Sequence, residues 1–318
     1  MSATQRTVAV TGATGFLGRH SVAALAAQGW RIRILARSQP LHPSWRAFEP
    51  EVVLGSLADI PALQRLVAGA DAVLHLAGLI KARDDADFLR VNRDGARALA
   101  DAMRIGAPNA HFLLVSSLAA REPQLSGYAA SKAAAEKAVL DALGNARVSI
   151  IRPPATYGPG DRATLIFFQL AARRIVPLIG RPAARLALIH VEDAANALAA
   201  RLSLPPTGHV QTISDGRPAG YGWREILDTA AVAVGNARPR YLTIPAPLLR
   251  GLGHLAGTFA ALTGKPGMVN AGKIRELLHE DWSVSAADLV KVPRYALDSG
   301  FSMTADWYRK AGWLPAQS

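Results

Sequence analysis

Two short patterns in this chain place proton-transfer groups at fixed spacing. Tyr128-Ala129-Ala130-Ser131-Lys132 sets a phenol and an ammonium four residues apart, which on a helix is one face. A free tyrosine, with a pKa of about 10, is a poor acid–base group near neutrality. A neighbouring ammonium favours the phenolate and lowers that pKa. Tyr128 is therefore expected to exchange a proton with an oxygen of a bound substrate. The second pattern, Ser116-Ser117, closes the apolar run His111–Val115, which reads as a strand. A hydroxyl at such a strand end can hydrogen-bond an oxygen on which charge develops, and Ser117 is preferred over Ser116 for that role.

A third pattern points to a phosphate. Gly12-Ala13-Thr14-Gly15-Phe16-Leu17-Gly18 follows a β-branched, apolar run, Thr7–Val10, and opens a helical segment that reaches about Gln28. Glycines there permit a tight turn and close approach of a pyrophosphate, and the helix N-terminus offers free N–H groups and a positive dipole end. A dinucleotide is thus expected against Gly12, Thr14, Gly15, Phe16, Leu17 and Gly18. At the end of the second strand, an acidic residue would grip the ribose hydroxyl of NAD. Here the residues are Arg37-Ser38. A guanidinium suits the 2′-phosphate of NADP, so NADP(H) is expected over NAD(H), with Arg19 and Arg33 as weaker helpers.

The elements that must position these groups alternate. Strands are expected at Thr7–Val10, Arg31–Ala36, Glu51–Leu54, Ala72–Leu76, His111–Val115 and Val148–Ile151, with helices between them, notably Phe88–Arg104 and Tyr128–Leu143. Such alternation implies an α/β fold, a doubly wound parallel sheet of the Rossmann kind. After Pro153 the alternation breaks up among prolines and glycines. Residues 1–160 read as the dinucleotide-binding domain. Residues 161–318 read as a smaller, mostly helical substrate-binding domain, with 186–212 returning to the first.

Taken in order, these motifs resemble the short-chain dehydrogenase/reductase superfamily in its extended, two-domain form, of the NAD-dependent epimerase/dehydratase type. The resemblance spans nearly the whole chain. It rests on Thr11–Gly18 (TGATGFLG), His75–Gly78 (HLAG), Val91-Asn92, Val115–Ser117 (VSS), the Tyr128/Lys132 pair, Arg152–Gly160 (RPPATYGPG) and His190-Val191-Glu192-Asp193. It implies that Ser117, Tyr128, Lys132 and Asn92 form the catalytic set, with Asn92 bending its helix and holding a relay water. It also implies that Leu57, Leu76, Ala77, Gly78, Ser116 and Pro153 line the cofactor beside Tyr128 and Lys132. A homodimer packing Phe88–Arg104 and Tyr128–Leu143 against their mates is a further implication.

Departures from the pattern narrow the activity. Gly55-Ser56-Leu57 stands where relatives carry Gly-Asp-Leu, so the acidic contact to adenine is in doubt. Leu118-Ala119 replaces the Asp-Glu pair of sugar-nucleotide dehydratases. Pro153–Tyr157 lacks the asparagine of the epimerases, and Leu186 holds the place of their arginine. The later segments, Ile244–Gly264 and Trp307–Leu314, are more similar to hydroxysteroid-dehydrogenase and dihydroflavonol-reductase relatives. The expected activity is NADP(H)-linked interconversion of a carbonyl and a secondary alcohol on an apolar or modestly polar small molecule. Two alternatives stay open: a sugar-nucleotide epimerase with tightly bound NAD, and a non-catalytic NADP-binding sensor or assembly subunit.

Composition bounds the rest. The chain has 318 residues, half of them hydrophobic, which excludes disorder as its main state. With no cysteine, disulfides and thiolate chemistry are excluded. Scattered histidines lack ligand spacing, so no metal site is expected. The longest uncharged stretch, Ile105–Ala120, contains Pro108, Asn109 and His111 and falls short of the roughly 18–20 apolar residues that span a bilayer. No signal peptide is visible, and a cytoplasmic location is the expectation. The net charge is +12, shared equally by the two halves of the chain, which argues against a nucleic-acid partner. Leu248–Leu262 is expected to pack as a helix over a pocket or subunit contact rather than lie on a membrane.

Overall fold

The computed structural model describes residues 5–39, 45, 47–178, 181–236, 239–251, 271–286 and 293–316. The chain divides into two compact units, 1–152 with 194–211, and 153–193 with 212–318. Residues 186–193, grouped above with the returning segment, fall in the second unit.

In the first unit, strands β1 (Thr7–Thr11), β2 (Arg31–Ala36), β3 (Glu51–Leu54), β4 (Ala72–His75), β5 (His111–Val115) and β6 (Val148–Arg152) alternate with helices. The helices are α1 (Phe16–Ala27), α2 (Ile60–Val67), α3 (Asp85–Phe88), α4 (Gly95–Gly106) and α5 (Gly127–Leu143). Local sequence sets their ends. Asp59 Oδ1 accepts the Ala62 N–H at 3.0 Å to cap α2, and Ser126 Oγ accepts the Ala129 N–H at 3.0 Å to cap α5. Such caps satisfy donors that the helix itself leaves free. Gly144, at φ +70°, ends α5. Buried aliphatic residues of α2, α4 and α5, among them Leu63, Leu99 and Val139, pack on Val73, Phe112 and Ile150 of the sheet.

The second unit holds β7 (Ala155–Tyr157), α6 (Leu165–Ala171), β8 (Ile175–Leu178), β9 (Arg185–Leu186) and β10 (Leu188–His190). The helix α7 (Val191–Leu202) and strand β11 (Val210–Thr212) come next in the chain and lie mainly in the first unit. Then come α8 (Trp223–Val234), β12 (Arg240–Thr243), α9 (Ala271–Leu278), β13 (Asp281–Trp282) and α10 (Leu297–Lys310). The large sheet has the order β11-β6-β5-β4-β1-β2-β3, the doubly wound arrangement expected. Chain order reverses beside β1, and ligands of such sheets bind off the carboxyl ends of the strands at that point. The second unit is less purely helical than its sequence suggests. Among the described residues it contains three two-stranded pieces, β7–β10, β8–β12 and β9–β13, all parallel. Its core is aromatic, with Tyr157, Phe168, Phe301 and Tyr308 meeting at ring-centroid distances of 4.9–5.3 Å. Of the segment Leu248–Leu262, residues 252–262 lie outside the described residues. Among the described residues no helix is long and apolar enough to cross a membrane.

Candidate active site

The glycine turn is built for a close approach. Gly12 has φ +74°, and a Cβ there would lie 2.6 Å from the Ala77 backbone nitrogen. A Cβ at Gly18 would overlap the Gly12 carbonyl. No side chain caps α1, and no acidic residue occupies its first turn. The first-turn N–H groups of Phe16, Leu17 and Gly18 are therefore left for a ligand, and an anion there is favoured by the helix dipole. Leu76 and Ala77 lie beside this turn: Leu76 donates its N–H to Thr11 O at 3.1 Å, and Ala77 to Thr11 Oγ1 at 3.4 Å. These features fit the pyrophosphate of a dinucleotide. Thr14 is exposed at the crest of the turn.

Arg37 follows β2 directly and is exposed, with no ion pair among the described residues. Arg33 is placed differently. It pairs with Glu51 and donates to the carbonyls of Leu66 (3.0 Å) and Ala68 (2.8 Å) at the end of α2. Its guanidinium braces the sheet edge, which removes it from the phosphate helpers. Leu57 packs its side chain where a Cβ on Gly95 would otherwise sit.

Asn92, Lys132, Ser131, Tyr128 and Gly78 form one connected cluster. A continuous helix runs from Asp85 to Gly106, with a π-helical stretch, Leu89–Asp94, around Asn92. Such stretches occur where a helix is distorted to serve a site. Asn92 is 2% exposed. Its Oδ1 accepts the Leu79 N–H at 2.7 Å. Its Nδ2 donates to Leu79 O at 3.1 Å and to Ser131 Oγ at 2.9 Å. Ser131 Oγ in turn donates to the Tyr128 carbonyl at 2.7 Å. The Tyr128 ring, half-buried, meets Phe88 edge-on at 6.0 Å. A Cβ on Gly78 would lie 3.0 Å from Asn92 Oδ1 and 3.8 Å from Lys132 Nζ, so the chain after β4 runs past both.

Lys132 is 7% exposed, and its Nζ donates to Val115 O at 2.8 Å, at the carboxyl end of β5. Burial pushes its pKa down from 10.5 to about 8, against the Glu136 carboxylate, which pulls it up. An ammonium has three donors. One goes to Val115 and two are left for the site. Burial and the charge of Lys132 hold the buried His75 down to about 3, so it stays neutral, bonded to Thr11 Oγ1 at 2.7 Å.

The two serines at the end of β5 part ways. Ser116 is buried and its hydroxyl donates to Glu136. Glu136 also accepts two bonds from Arg152, at 2.8 and 2.6 Å. Ser117 is half-buried, and its Oγ accepts the Ala119 N–H at 3.2 Å to cap the short turn Leu118–Arg121. That bond leaves its O–H free to donate elsewhere. Pro153 follows β6 and begins the second unit. Ser131, Glu136 and Arg152 also belong to the cluster, although the sequence patterns assign them no role. For Glu136 the available signal was its spacing, one turn beyond Lys132 on the same helix face.

A sequence model described as the NAD dependent epimerase/dehydratase family matches residues 8–213. A ceramide reductase of Caulobacter vibrioides is 53% identical over 310 residues, covering 97% of this chain and 96% of the relative. A 4-hydroxy-2-methyl-3-oxo-4-farnesyl-3,4-dihydroquinoline-1-oxide ketoreductase of Stigmatella aurantiaca is 30% identical, over 66% of this chain and 68% of its own. Among solved structures, UDP-glucose 4-epimerase of Thermus thermophilus in complex with NAD shares the fold. The TM-score is 0.70 at 22% identity, over 96% of this chain and all of that one.

Proposed function

Because this chain belongs to the NAD dependent epimerase/dehydratase family, we propose that it reduces a ketone to a secondary alcohol on a long-chain, ceramide-like amide, using NADPH. The observation that carries the reading is the buried Lys132 ammonium on the helix of Tyr128, with Asn92 and Ser131 fixing that helix's first turn. The extensive likeness to a ceramide reductase supports the substrate class. The amide carbonyl of a ceramide is a poor hydride acceptor, so the reducible group is a ketone at the backbone carbon that carries the secondary hydroxyl in the product.

When bound, the reduced nicotinamide supplies the hydride. This chain's residues manage the oxygen. Ser117 directs its hydroxyl at the carbonyl oxygen and stabilises charge as it grows there. Tyr128 gives that oxygen its phenolic proton, completing the alcohol. Lys132, held positive in a buried setting, stabilises the phenolate left behind. Asn92 and Ser131 tie down the Tyr128 backbone, so the phenol starts from one position rather than many. Arg37 recognises the 2′-phosphate that separates NADP from NAD. Gly12 and Gly18 let the turn pack closely on the backbone of Leu76-Ala77 and on itself, which sets the first turn of α1 where its N–H groups meet the pyrophosphate.

Reduction is favoured over sugar-nucleotide epimerisation by the second unit. Leu186 is buried and pairs by its backbone with Tyr221. Arg185 turns its guanidinium onto its own loop, donating to Ala184 O at 3.0 Å. Neither presents a cation to a diphosphate. The test is to mix purified protein and NADPH separately with a ketone-bearing short-chain ceramide and with UDP-glucose. Loss of NADPH only with the ceramide ketone supports the reading. Interconversion of UDP-sugars with no net loss of NADPH overturns it.

A further inference from the structure

The even division of the +12 charge between chain halves conceals a sharp local bias. Residues 162–191 carry five arginines and no acidic residue. Residues 229–275 carry six lysines and arginines and no acidic residue. These two stretches, 77 residues together, hold +11 of the chain's +12. The fold joins them: β8 and β12 pair in parallel, and Arg240 donates its N–H to Arg174 O at 3.2 Å.

Several of these cations are already engaged. Arg181 pairs with Glu280 and Lys273 with Glu276. Arg162 lies over the Trp313 ring at 4.1 Å, and Arg185 faces its own loop. Arg173, Arg174, Arg240 and Arg250 are different. All four are exposed, and none has an ion pair among the described residues. Apolar side chains stand among them. In the register Arg240 faces Ile175, and Leu242 faces Pro177. Strand alternation places these four on one face of the ribbon and Val176 with Tyr241 on the other. Ile175 is 57% exposed and Leu242 56%, as is Leu248 just beyond β12. The far face is occupied: Val176 is buried, and the Tyr241 hydroxyl bonds Asp228 beneath the Arg224 guanidinium.

We propose that this face of the β8–β12 ribbon, which carries Arg240, Ile175 and Leu242, with the exposed Arg173 and Arg174 leading into β8, docks the protein on an anionic phospholipid bilayer. Unpaired guanidiniums complement the phosphate headgroups, and Ile175 and Leu242 enter the shallow apolar zone beneath them. A single-stranded nucleic acid would call for aromatic stacking between the cations, and the ribbon's only aromatic ring faces the other way. The proposal concerns this surface alone and does not rest on the substrate assigned above. Its consequence is that the enzyme works on substrates resident in a membrane.

The test is co-sedimentation of the full chain with vesicles of phosphatidylcholine alone, or of phosphatidylcholine with phosphatidylglycerol. The expected result is binding to the anionic vesicles only, abolished by high salt. Each cation near an anionic surface contributes about fivefold in binding. The triple variant Arg173→Ala, Arg174→Ala, Arg240→Ala is therefore expected to bind about a hundredfold more weakly, and Ile175→Asp with Leu242→Asp to weaken binding as well. Circular dichroism and melting of each variant, unchanged from wild type, show that the fold is intact. Failure of the wild-type protein to bind anionic vesicles overturns the proposal without any variant. Equal binding to phosphatidylcholine alone, or salt-sensitive binding to duplex DNA that ignores the two aspartates while vesicles are ignored, overturns it too. None of these outcomes bears on whether NADPH reduces a ketone.

Discussion

Replacing Lys132 with methionine should abolish turnover and, at neutral pH, stabilise the protein. Lys132 is buried, and its pKa falls from 10.5 to about 8. At 1.36 kcal/mol per unit, keeping the ammonium charged in place costs the fold roughly 3 kcal/mol. The sign follows from proton counting. Between pH 8 and 10.5 the unfolded chain holds more protons at this residue than the folded chain. Stability therefore rises with pH across that window, and the full penalty applies below it. Methionine fills similar volume without charge. It forfeits the bond to Val115 O, about 1 kcal/mol. The balance is a gain of roughly 2 kcal/mol at pH 7, worth several degrees in melting temperature for a chain of this size. Melting of the ligand-free wild type and Lys132→Met at pH 7 and near pH 10 reads it directly. The variant should melt higher at pH 7, with the difference closing near pH 10. A variant that melts well below wild type at pH 7, or a difference that ignores pH, refutes the claim that burial opposes the ammonium.

Other predictions address the cofactor, the scaffold and acid. Arg37→Ala should raise the KM for NADPH by about 10- to 100-fold, the range of a charge-assisted hydrogen bond. The KM for NADH should barely move, and equal losses for both would remove Arg37 from the phosphate. Asn92→Leu strips partners from the Leu79 N–H and Ser131, each group costing about 1–3 kcal/mol if left unsatisfied. It should lower both the melting temperature and kcat, and unchanged kcat would leave Asn92 a purely structural residue. His75, held down to about 3 by burial and by Lys132, must take up a proton on unfolding once the pH is below about 6.5. Stability should therefore fall with acid by up to about 1.4 kcal/mol per pH unit on its account. Urea midpoints of His75→Gln between pH 7 and 4 should show a shallower slope, and an unaltered slope would assign the acid lability elsewhere.

Local pattern carried most of the first unit. Its central strands β1, β4, β5 and β6 are short, largely apolar runs buried on both faces, which leaves few other readings, and its glycine turn sits between strand and helix where close backbone packing explains Gly12 and Gly18. Tyr128 and Lys132 were legible because a helix fixes their separation. Arg33 was not, since its partners at Glu51, Leu66 and Ala68 are distant in sequence. Nor was the Ser116–Glu136–Arg152 network, which joins a strand end, a helix and the next strand. The second unit's strands are two to four residues long and pair across long loops, too short to leave a periodic signal. The charge bias was present in the sequence throughout, but averaging over halves erased it. The β8–β12 pairing is what brings the two acid-free stretches side by side.

Tyr128 and its buried lysine are proposed to complete a hydride transfer to a ketone. Incubation of a ketone-bearing short-chain ceramide with NADPH deuterated at the transferring carbon, followed by mass spectrometry, tests it most directly. The wild-type protein should give an alcohol carrying one deuterium on its carbinol carbon. Tyr128→Phe, which should still bind NADPH, should give almost none. An unlabelled alcohol, or near-wild-type turnover by Tyr128→Phe, would contradict it.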